Sequence, residues 1–226
     1  MKPPVVIIPV RDKLDLTQSI VEALIEDGGY SDLIVFDNGS KDGTWNWLRT
    51  QHLFAIPAPK ATLHEMWNRG LHRAAHTGAP AVILNNDIEI DDKADWLERL
   101  CAPLKDGWSV TCPNYDGRGG VFPVESLRGK GVCGHRYNGT GGLAGFAFAM
   151  APDIAASHRF PTEAMWWFGD TDLVLTMEDQ NHDIGLVRDV GVTHLDGGSQ
   201  TTKEHDLSEQ FKQDQEWFEN KWGITV

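Results

Sequence analysis

AVILNNDIEI, residues 81–90, is the stretch of sequence that decides the predicted fold. Four apolar residues, 81–84, stop abruptly at three polar ones, 85–87, after which Ile88 and Ile90 resume an alternating pattern. The pattern predicts a buried strand that delivers polar side chains at its end. In open α/β sheets the ligand crevice lies outside the carboxyl ends of the strands, where a carboxylate could hold a metal and a phosphorylated ligand. Asn-Asn-Asp is also good turn and helix-capping chemistry, so the stretch alone leaves both interpretations open.

The composition bounds the class of protein. A chain of 226 residues suits one large α/β domain. With 20 Lys plus Arg against 33 Asp plus Glu, the net charge of −13 argues against direct binding of nucleic acid by phosphate neutralisation. Three cysteines without zinc spacing favour the cytoplasm over a disulfide-forming compartment. No run approaches the ~20 apolar residues of a membrane span or resembles a signal peptide, so we expect a soluble cytoplasmic protein without an integral membrane segment.

Strand and helix patterns alternate from residue 5 to residue 90. Apolar or β-branched runs predict strands, and helical periodicity with glycine stops predicts helices. The predicted strands lie at 5–10, 33–36, 53–56 and 81–84, and the predicted helices at 14–27 and 61–76, with a short one at Thr44. This alternation is typical of an α/β fold with an open, mostly parallel sheet flanked by helices.

The second half of the chain differs, because the glycine-rich stretch 117–145 indicates loops and sheet edges. The remaining predicted elements are helices at 94–104, 173–179 and 206–221 and strands at 108–112, 143–150, 184–187 and 190–193. No Pro- or Ser-rich linker divides the chain. We therefore expect a single domain, 1–226, with a front half of about 1–112 and a loop-rich half of about 113–226.

Four polar clusters follow strands or lie in loops: Asp37-Asn38, Asn85-Asn86-Asp87, Asp170-Thr171-Asp172 and His194-Leu195-Asp196. Each by itself could be capping chemistry. Together they belong to a succession of motifs: VVIIPV (5–10), LIVFDNGSKDGT (33–44), HEMWNRGLHRAA (64–75), VILNNDI (82–88), WWFGDTDL (166–173) and VTHLDGGS (192–199). This succession resembles the family 2 glycosyltransferases of the GT-A fold, especially the rhamnosyltransferase-like members with NND at the metal-binding position. The resemblance spans most of residues 5–199, and LIVFDNGSKDGT and ILNNDI are its specific parts.

The resemblance implies a Rossmann-like, GT-A-type sheet with a nucleotide-sugar-binding half followed by an acceptor-side half. It gives Asp37 a hydrogen bond to the nucleotide base or ribose, beside an Asx turn that Asp37 or Asn38 would make in any case. Asp87 corresponds to the last residue of the DXD motif, which binds Mn²⁺ or Mg²⁺ on the donor diphosphate. Asn85 stands at the first position of that motif and removes one charge. His194 corresponds to a third metal ligand, although a lone histidine after a strand is more often structural.

Asp170 corresponds to the carboxylate that accepts the proton of the acceptor hydroxyl in an inverting transfer. Gly169 stands where the family has Glu, which leaves a one-residue ambiguity between Asp170 and Asp172. On the structural alternative, one of these two residues caps a helix that begins at Leu173.

Further substrate contacts follow from the same resemblance. The family's usual Pro-Thr-Tyr-Asn run is Pro9-Val10-Arg11-Asp12 here, so backbone contacts to the nucleotide would persist while side-chain contacts differ. The residues expected to bind substrates are Pro9, Arg11, Asp37, Asn38, Asn68, Asn85, Asn86, Trp167, Asp172 and Ser199. For Trp166 and Trp167, a core role for at least one competes with an acceptor platform.

The sequence therefore predicts a metal-dependent inverting glycosyltransferase, a hexosyl- or deoxyhexosyltransferase, with a UDP- or dTDP-linked donor. Its acceptor would be a hydroxyl of a glycan, a protein or a small molecule. One alternative is a nucleotidyltransferase of sugar-nucleotide synthesis, which needs a basic Gly-rich loop that PVRDKLDL lacks. The other is a non-catalytic module that binds a nucleotide or glycan.

Overall fold

A mixed β-sheet flanked by helices carries the fold in the computed structural model, which describes residues 1–115, 123–130, 142–195 and 208–225. The strands are β1 (Val5–Val10), β2 (Asp32–Asp37), β3 (Phe54–Pro57), β4 (Ala81–Leu84), β5 (Ile88–Ile90), β6 (Val110–Asn114), β7 (Val124–Ser126), β8 (Ala147–Met150) and β9 (Ile184–His194). The helices are α1 (Leu14–Asp27), α2 (Thr44–Leu48), α3 (Leu63–Thr77), α4 (Trp96–Cys101), α5 (Pro152–Ser157), α6 (Gly169–Asp179) and α7 (Ser208–Trp222), and a 3₁₀ helix spans Ala102–Asp106.

The strands follow the order β3-β2-β1-β4-β8-β6-β9-β5, and β7 pairs with β9. The strands β3, β2, β1 and β4 are mutually parallel. Strand β8 then runs antiparallel to both β4 and β6, and β6 is parallel to β9. The predicted α/β class, an open sheet flanked by helices, is confirmed, with the parallel pairing concentrated in the front half.

The sequence explains the central strand β1 directly. All six residues of VVIIPV are buried, as expected for a β-branched strand with neighbours on both edges. Pro9 is tolerated because β4 pairs with β1 only through Val5, Val6 and Ile7, so no β4 carbonyl needs a donor from residue 9. Helix α3 packs so closely on β1 that a Cβ at Gly70 would lie 2.5 Å from the side chain of Ile7.

Helix ends follow local capping chemistry. Helix α1 ends at Gly28, which has φ 66° and donates its N–H to the carbonyl of Leu24, as the predicted glycine stop requires. Helix α3 begins after a capping box of Thr62 and Glu65, two residues later than predicted from Ala61.

Several boundaries differ from the prediction. The helix predicted at 94–104 is α4 followed by the 3₁₀ helix, in which Pro103 supplies no backbone donor. The two strands predicted at 184–187 and 190–193 are one strand, β9. Helix α6 begins at Gly169, four residues before the predicted start at Leu173, so the two candidate carboxylates lie inside its first turn. The strand predicted from Leu143 begins only at Ala147.

Helices α6 and α7 form a small apolar cluster beside the main core. Phe168, Leu175 and Phe218 are buried there, and Trp167, Trp217, Trp222 and Ile224 pack around them. In the described part of the chain, no helix has the length and apolar character needed to cross a membrane.

Candidate active site

The turn after β4 and the end of β9 bring together the two predicted metal ligands. Strands β5 and β9 pair antiparallel with Ile88 opposite His194, and the N–H of Leu195 donates to the carbonyl of Asp87 at 2.8 Å. This register places Nε2 of His194 3.3 Å from Oδ1 of Asp87. Asp87 is only 6% exposed, and its Oδ1 has no hydrogen-bond partner among the described residues, because the approach of the imidazole is close but not aligned.

The ring of Phe146 fixes the orientation of His194. The two rings are stacked, with centroids 4.3 Å apart and an interplanar angle of 2°. The imidazole edge therefore points toward Asp87, while the His194 side chain stays 41% exposed and accessible to a ligand. The carbonyl of Phe146 also accepts the N–H of Asn85 at 2.8 Å, which ties this residue to the end of β4.

The pair of Asp87 and His194 suits a divalent cation that is shared with a ligand. A carboxylate oxygen without a hydrogen-bond partner and an imidazole nitrogen are both donors that Mn²⁺ accepts, and an oxygen-rich partner such as a diphosphate would complete the coordination. Within residues 1–115, 123–130, 142–195 and 208–225, no group of three or more His, Cys, Asp or Glu residues is arranged to hold a metal alone.

Asp37 lies at the carboxyl end of β2, next to the ends of β1 and β4 in the parallel part of the sheet. Its Oδ1 accepts the N–H groups of Gly39 and Ser40 at 2.9 and 3.0 Å, so the Asx turn considered for this residue is present. Its Oδ2 is buried and lacks a hydrogen-bond partner in the described chain. A buried carboxylate oxygen without a donor is costly, which makes it a candidate acceptor for a ligand N–H or hydroxyl.

Three predicted substrate-binding asparagines are engaged elsewhere. The Nδ2 of Asn38 donates to the carbonyls of Ala58 and Ala61 at 3.0 and 2.6 Å. The Nδ2 of Asn86 donates to Oγ1 of Thr17 on α1 at 3.1 Å. Both ends of the Asn68 amide bond the backbone of Phe160, at 2.9 and 2.8 Å. These bonds join neighbouring elements of the scaffold, and the contact of these three residues with substrate stays a prediction.

The loop after β1 is held in an unusual conformation. Pro9 is buried in β1 and Arg11 is half-buried just beyond it. Asp12 and Lys13 follow with φ 56° and 61°, the left-handed region that side chains other than glycine rarely adopt. The loop after β2 stabilises this backbone, since Ser40 accepts the N–H of Asp12 at 2.8 Å and Asp12 accepts the N–H of Lys41 at 2.6 Å.

The carboxylates of Asp170 and Asp172 lie in different environments. Asp172 is 2% exposed, and its Oδ1 accepts Nζ of Lys221 at 2.5 Å and Nε1 of Trp222 at 2.8 Å, so this carboxylate anchors α7. Asp170 is half-buried and accepts only the N–H and hydroxyl of the adjacent Thr171 among the bonds in the described chain, at 2.8 and 3.4 Å through Oδ1. Neither residue caps the helix, because Phe168 with φ 63° occupies the N-cap position.

Gly145 and Phe146 connect the two carboxylate regions. A Cβ at Gly145 would lie 1.9 Å from Oδ2 of Asp170, so the Asp170 carboxylate lies directly against this backbone. The next residue, Phe146, stacks on His194. Asp170 and the Asp87–His194 pair therefore flank one dipeptide. The sequence prediction missed this role, because Gly145 is one of many glycines in its region.

Two further residues near Asp170 were also missed. Asn85 and Trp167 were among the predicted site residues. The sequence prediction did not include His64 or Asp214. His64 is buried on α3 beneath α6, and its Nδ1 donates to the carbonyls of Pro161 and Ala164, since these oxygens only accept. Its Nε2 has no hydrogen-bond partner among the described residues, and a Cβ at Gly169 would lie 2.2 Å from it. This contact requires glycine at 169.

Burial governs the ionisation of the two buried histidines. Burial lowers the pKa of His64 below its ordinary value, against the opposing effects of the carbonyls of Ala164 and Pro161 and the carboxylates of Asp170 and Asp214. Burial likewise lowers the pKa of His158 to about 4.

Trp167, three residues before Asp170, is half-buried, and its ring packs edge-on against Phe211 with centroids 5.5 Å apart. Trp166 packs against the main core. The side chain of Asn85 follows β4 directly, at the same sheet edge as Asp37. Ser199, predicted to contact the diphosphate, lies outside the described residues.

Comparison with known families supports one assignment. The model of the family described as Glycosyl transferase family 2 matches residues 5–146. This range contains Asp37 and Asp87 and ends at Phe146, whereas Asp170 and His194 lie beyond it. No curated protein matches the sequence significantly.

Solved structures share the fold at low sequence identity. Glucosyl-3-phosphoglycerate synthase from Mycobacterium tuberculosis, solved with Mn²⁺, UDP and glucosyl-3-phosphoglycerate, superposes with a TM-score of 0.69 at 19% identity, over 98% of this chain and 80% of that one. The same enzyme with Mg²⁺ and UDP gives 0.66 at 18% identity, over 98% and 79%. A mannosyltransferase from Pyrobaculum calidifontis with GDP-mannose and Mn²⁺ gives 0.60 at 15% identity, over 87% and 58%.

Proposed function

Because the chain belongs to glycosyl transferase family 2 and is a glycosyltransferase, we propose that it moves a sugar from a nucleoside diphosphate donor to a hydroxyl acceptor, with a divalent metal ion and with inversion at the anomeric carbon. The observation that carries the proposal is the 3.3 Å approach of His194 to Asp87, next to a dipeptide, Gly145-Phe146, that contacts both His194 and Asp170.

The metal ion in this proposal is Mn²⁺ or Mg²⁺, held by Asp87 and His194. Bound there, it would neutralise the charge that develops on the leaving diphosphate. The M. tuberculosis synthase was solved in complex with UDP and Mn²⁺ or Mg²⁺, which supports the same ion class here. Asn85, at the first position of NND, would hydrogen-bond the ribose as a neutral group.

The donor would lie across the carboxyl ends of β1, β2 and β4, where ligands of open α/β sheets bind. In this proposal Oδ2 of Asp37, which has no hydrogen-bond partner among the described residues, accepts the N3–H of uracil or thymine or a ribose hydroxyl. We therefore propose a UDP- or dTDP-linked hexose or deoxyhexose. Pro9 and Arg11, at and just beyond the end of β1, would border the same donor crevice.

Asp170 is the proposed general base. Its carboxylate would take the proton of the acceptor hydroxyl while that oxygen forms a bond to the anomeric carbon. The bond from this carbon to the diphosphate oxygen breaks on the opposite face, and its electron pair leaves with the diphosphate. Asp172 is unsuited to this role because its carboxylate is buried and bound to Lys221 and Trp222. In this proposal Trp167 would contact the acceptor.

A thermal-shift titration tests the donor half of the proposal. UDP or dTDP with Mn²⁺ should raise the melting temperature by several degrees at saturating concentration, and Mn²⁺ plus chelator should abolish the shift. The Asp170→Asn variant should keep this shift. It should no longer transfer sugar from the nucleoside diphosphate sugar that corresponds to the nucleotide giving the shift. Absence of a shift with any of UDP, dTDP and GDP would contradict the proposal.

A further inference from the structure

The segment that leads to Asp170 owes its conformation to side chains from other elements. Residues 160–168 lie between α5 and α6 outside any helix or strand. Helix α3 holds the first part through Asn68, which bonds Phe160, and through His64, whose Nδ1 lies 3.0 and 2.6 Å from the carbonyls of Pro161 and Ala164.

Asp214 of α7 holds the second part. Its carboxylate accepts three successive backbone N–H groups: Met165 at 3.1 Å to both oxygens, Trp166 at 2.9 Å and Trp167 at 3.0 Å to Oδ2. Gln210, one turn earlier on α7, donates Nε2 to Oδ1 at 2.7 Å. Asp214 is 0% exposed, so these four donors replace water around a buried carboxylate.

This arrangement fixes the backbone as well as the charge. Successive N–H groups of an extended chain point in opposite directions, so three of them can meet one carboxylate only if the backbone curls around it. The curled backbone runs through Phe168, in the left-handed region, into Gly169 and Asp170 at the start of α6. Asp214 therefore bonds Trp167, which is only three residues before Asp170, although Asp214 itself touches no reacting group.

We propose that Asp214 is a positioning residue: by holding the N–H groups of residues 165–167, it sets the place of the Asp170 carboxylate against Gly145. The inference rests on the proposed role of Asp170 as the base. It implies that α7 controls the rate of transfer without contributing to donor binding, because the donor side of the site is built from β1, β2, β4, β5 and β9.

Asp214→Asn tests the proposal. The amide keeps the shape of the carboxylate but loses its charge, and even in its better orientation its NH₂ group faces the N–H of Met165 and Nε2 of Gln210, so the bonds that hold residues 165–167 are weakened. We expect kcat to fall by at least about tenfold, since a base misplaced by about 1 Å loses that much or more. The affinity for the nucleoside diphosphate with Mn²⁺ should stay within about twofold, which a general loss of folding would not give.

Gln210→Ala is the matched control. It removes one hydrogen bond to the same carboxylate on the same helix, yet leaves all three backbone bonds in place. Its kcat should stay within about twofold of the wild type. Asp214→Glu keeps the charge while the longer side chain displaces the carboxylate, so its kcat should fall less than that of Asp214→Asn, with unchanged nucleotide affinity.

The outcomes separate this inference from the proposed function. Suppose that the wild type transfers sugar and that Asp170→Asn abolishes this transfer. If a folded Asp214→Asn or Asp214→Glu variant then keeps kcat within twofold of the wild type, the inference alone is overturned. Failure of both Asp214 variants to fold also overturns it, because the role is then stability of the fold. Absence of transfer by the wild type with every nucleoside diphosphate sugar tested contradicts the proposed function itself.

Discussion

The imidazole of His194 lies parallel to the ring of Phe146, with centroids 4.3 Å apart. This stacking makes an apolar side chain part of the proposed metal site, because it fixes the plane in which Nε2 approaches Asp87. The contact also joins β9 to the residue that precedes β8, so the site depends on a contact between segments far apart in the sequence.

Phe146→Ala should therefore weaken Mn²⁺ binding. Loss of a stacked aromatic pair costs about 0.5–1.5 kcal/mol, which corresponds to an affinity about 2- to 10-fold lower. Titration with Mn²⁺ in the presence of UDP, followed by calorimetry, measures the effect. Phe146→Tyr keeps the ring and should bind like the wild type. Equal affinities for the Ala and Tyr variants would contradict the role given to the ring.

Asp87→Asn should lower Mn²⁺ affinity by at least about tenfold, since even residues behind the direct ligands of a metal contribute 10- to 100-fold. The nucleotide-induced rise in melting temperature should become insensitive to chelator. The matched control is Asp91→Asn, which changes a carboxylate beyond the end of β5 that accepts the hydroxyl of Thr193. If both variants respond to Mn²⁺ as the wild type does, Asp87 is not a ligand.

Gly145→Ala should abolish most transfer while the donor still binds. The added Cβ would lie 1.9 Å from Oδ2 of Asp170, so the carboxylate has to move away from its place. A displacement of about 1 Å costs on the order of 100-fold in kcat. Steady-state kinetics and nucleotide titration on the same preparation give the two quantities. A variant with normal kcat would show that Asp170 functions in another position.

Lys221→Met should destabilise the protein by about 1–3 kcal/mol, because it leaves the buried carboxylate of Asp172 with Trp222 as its remaining partner of the two. Urea unfolding at neutral pH measures the change. The double variant Asp172→Asn/Lys221→Met removes the uncompensated charge and should recover part of the loss. Additive effects of the two substitutions would contradict a direct pairing.

Acidification should destabilise the fold through His158. The pKa of this residue is about 4 in the folded protein because it is buried, against 6.5 for the unfolded reference. Above pH 6.5 the imidazole is neutral in both states, so His158 does not lower the free energy of unfolding. Between pH 6.5 and 4 only the unfolded state binds the proton, so the free energy of unfolding falls by about 1.4 kcal/mol per pH unit from this residue.

His158→Phe removes this dependence, so its free energy of unfolding should decrease less between pH 7 and pH 4.5 than that of the wild type. Urea unfolding at the two pH values measures it. His72→Gln, at an exposed position on α3, is the control and should retain the wild-type pH dependence. A His158→Phe variant with the wild-type dependence would contradict the assignment.

Local signals predicted much of the fold. The bounds of β1 and α1 match their predicted residues, since an unbroken β-branched run and a glycine stop act over a few neighbours. The start of α6 was predicted four residues late because Phe168, in a left-handed conformation, gives no capping signal, and tertiary contacts to α7 and His64 fix that turn.

The site was predictable only where a motif carries it. Asp37 ends β2 and Asp87 lies in the short turn after β4, and the structure leaves an oxygen of each without a hydrogen-bond partner among the described residues. Asn68 and Asn86 have equally polar side chains, yet they bond groups 92 and 69 residues away. No local pattern distinguishes these uses, because the partner is defined by the packing of distant elements. Asp214 was missed for the same reason.

The contact of α7 with residues 165–167 makes the proposed base depend on the last helix described. A chain shortened before Ser208 keeps the residues of the Asp87–His194 pair but lacks Asp214 and its bonds to this segment. Such a truncated chain should lose transfer even if it still binds a nucleoside diphosphate.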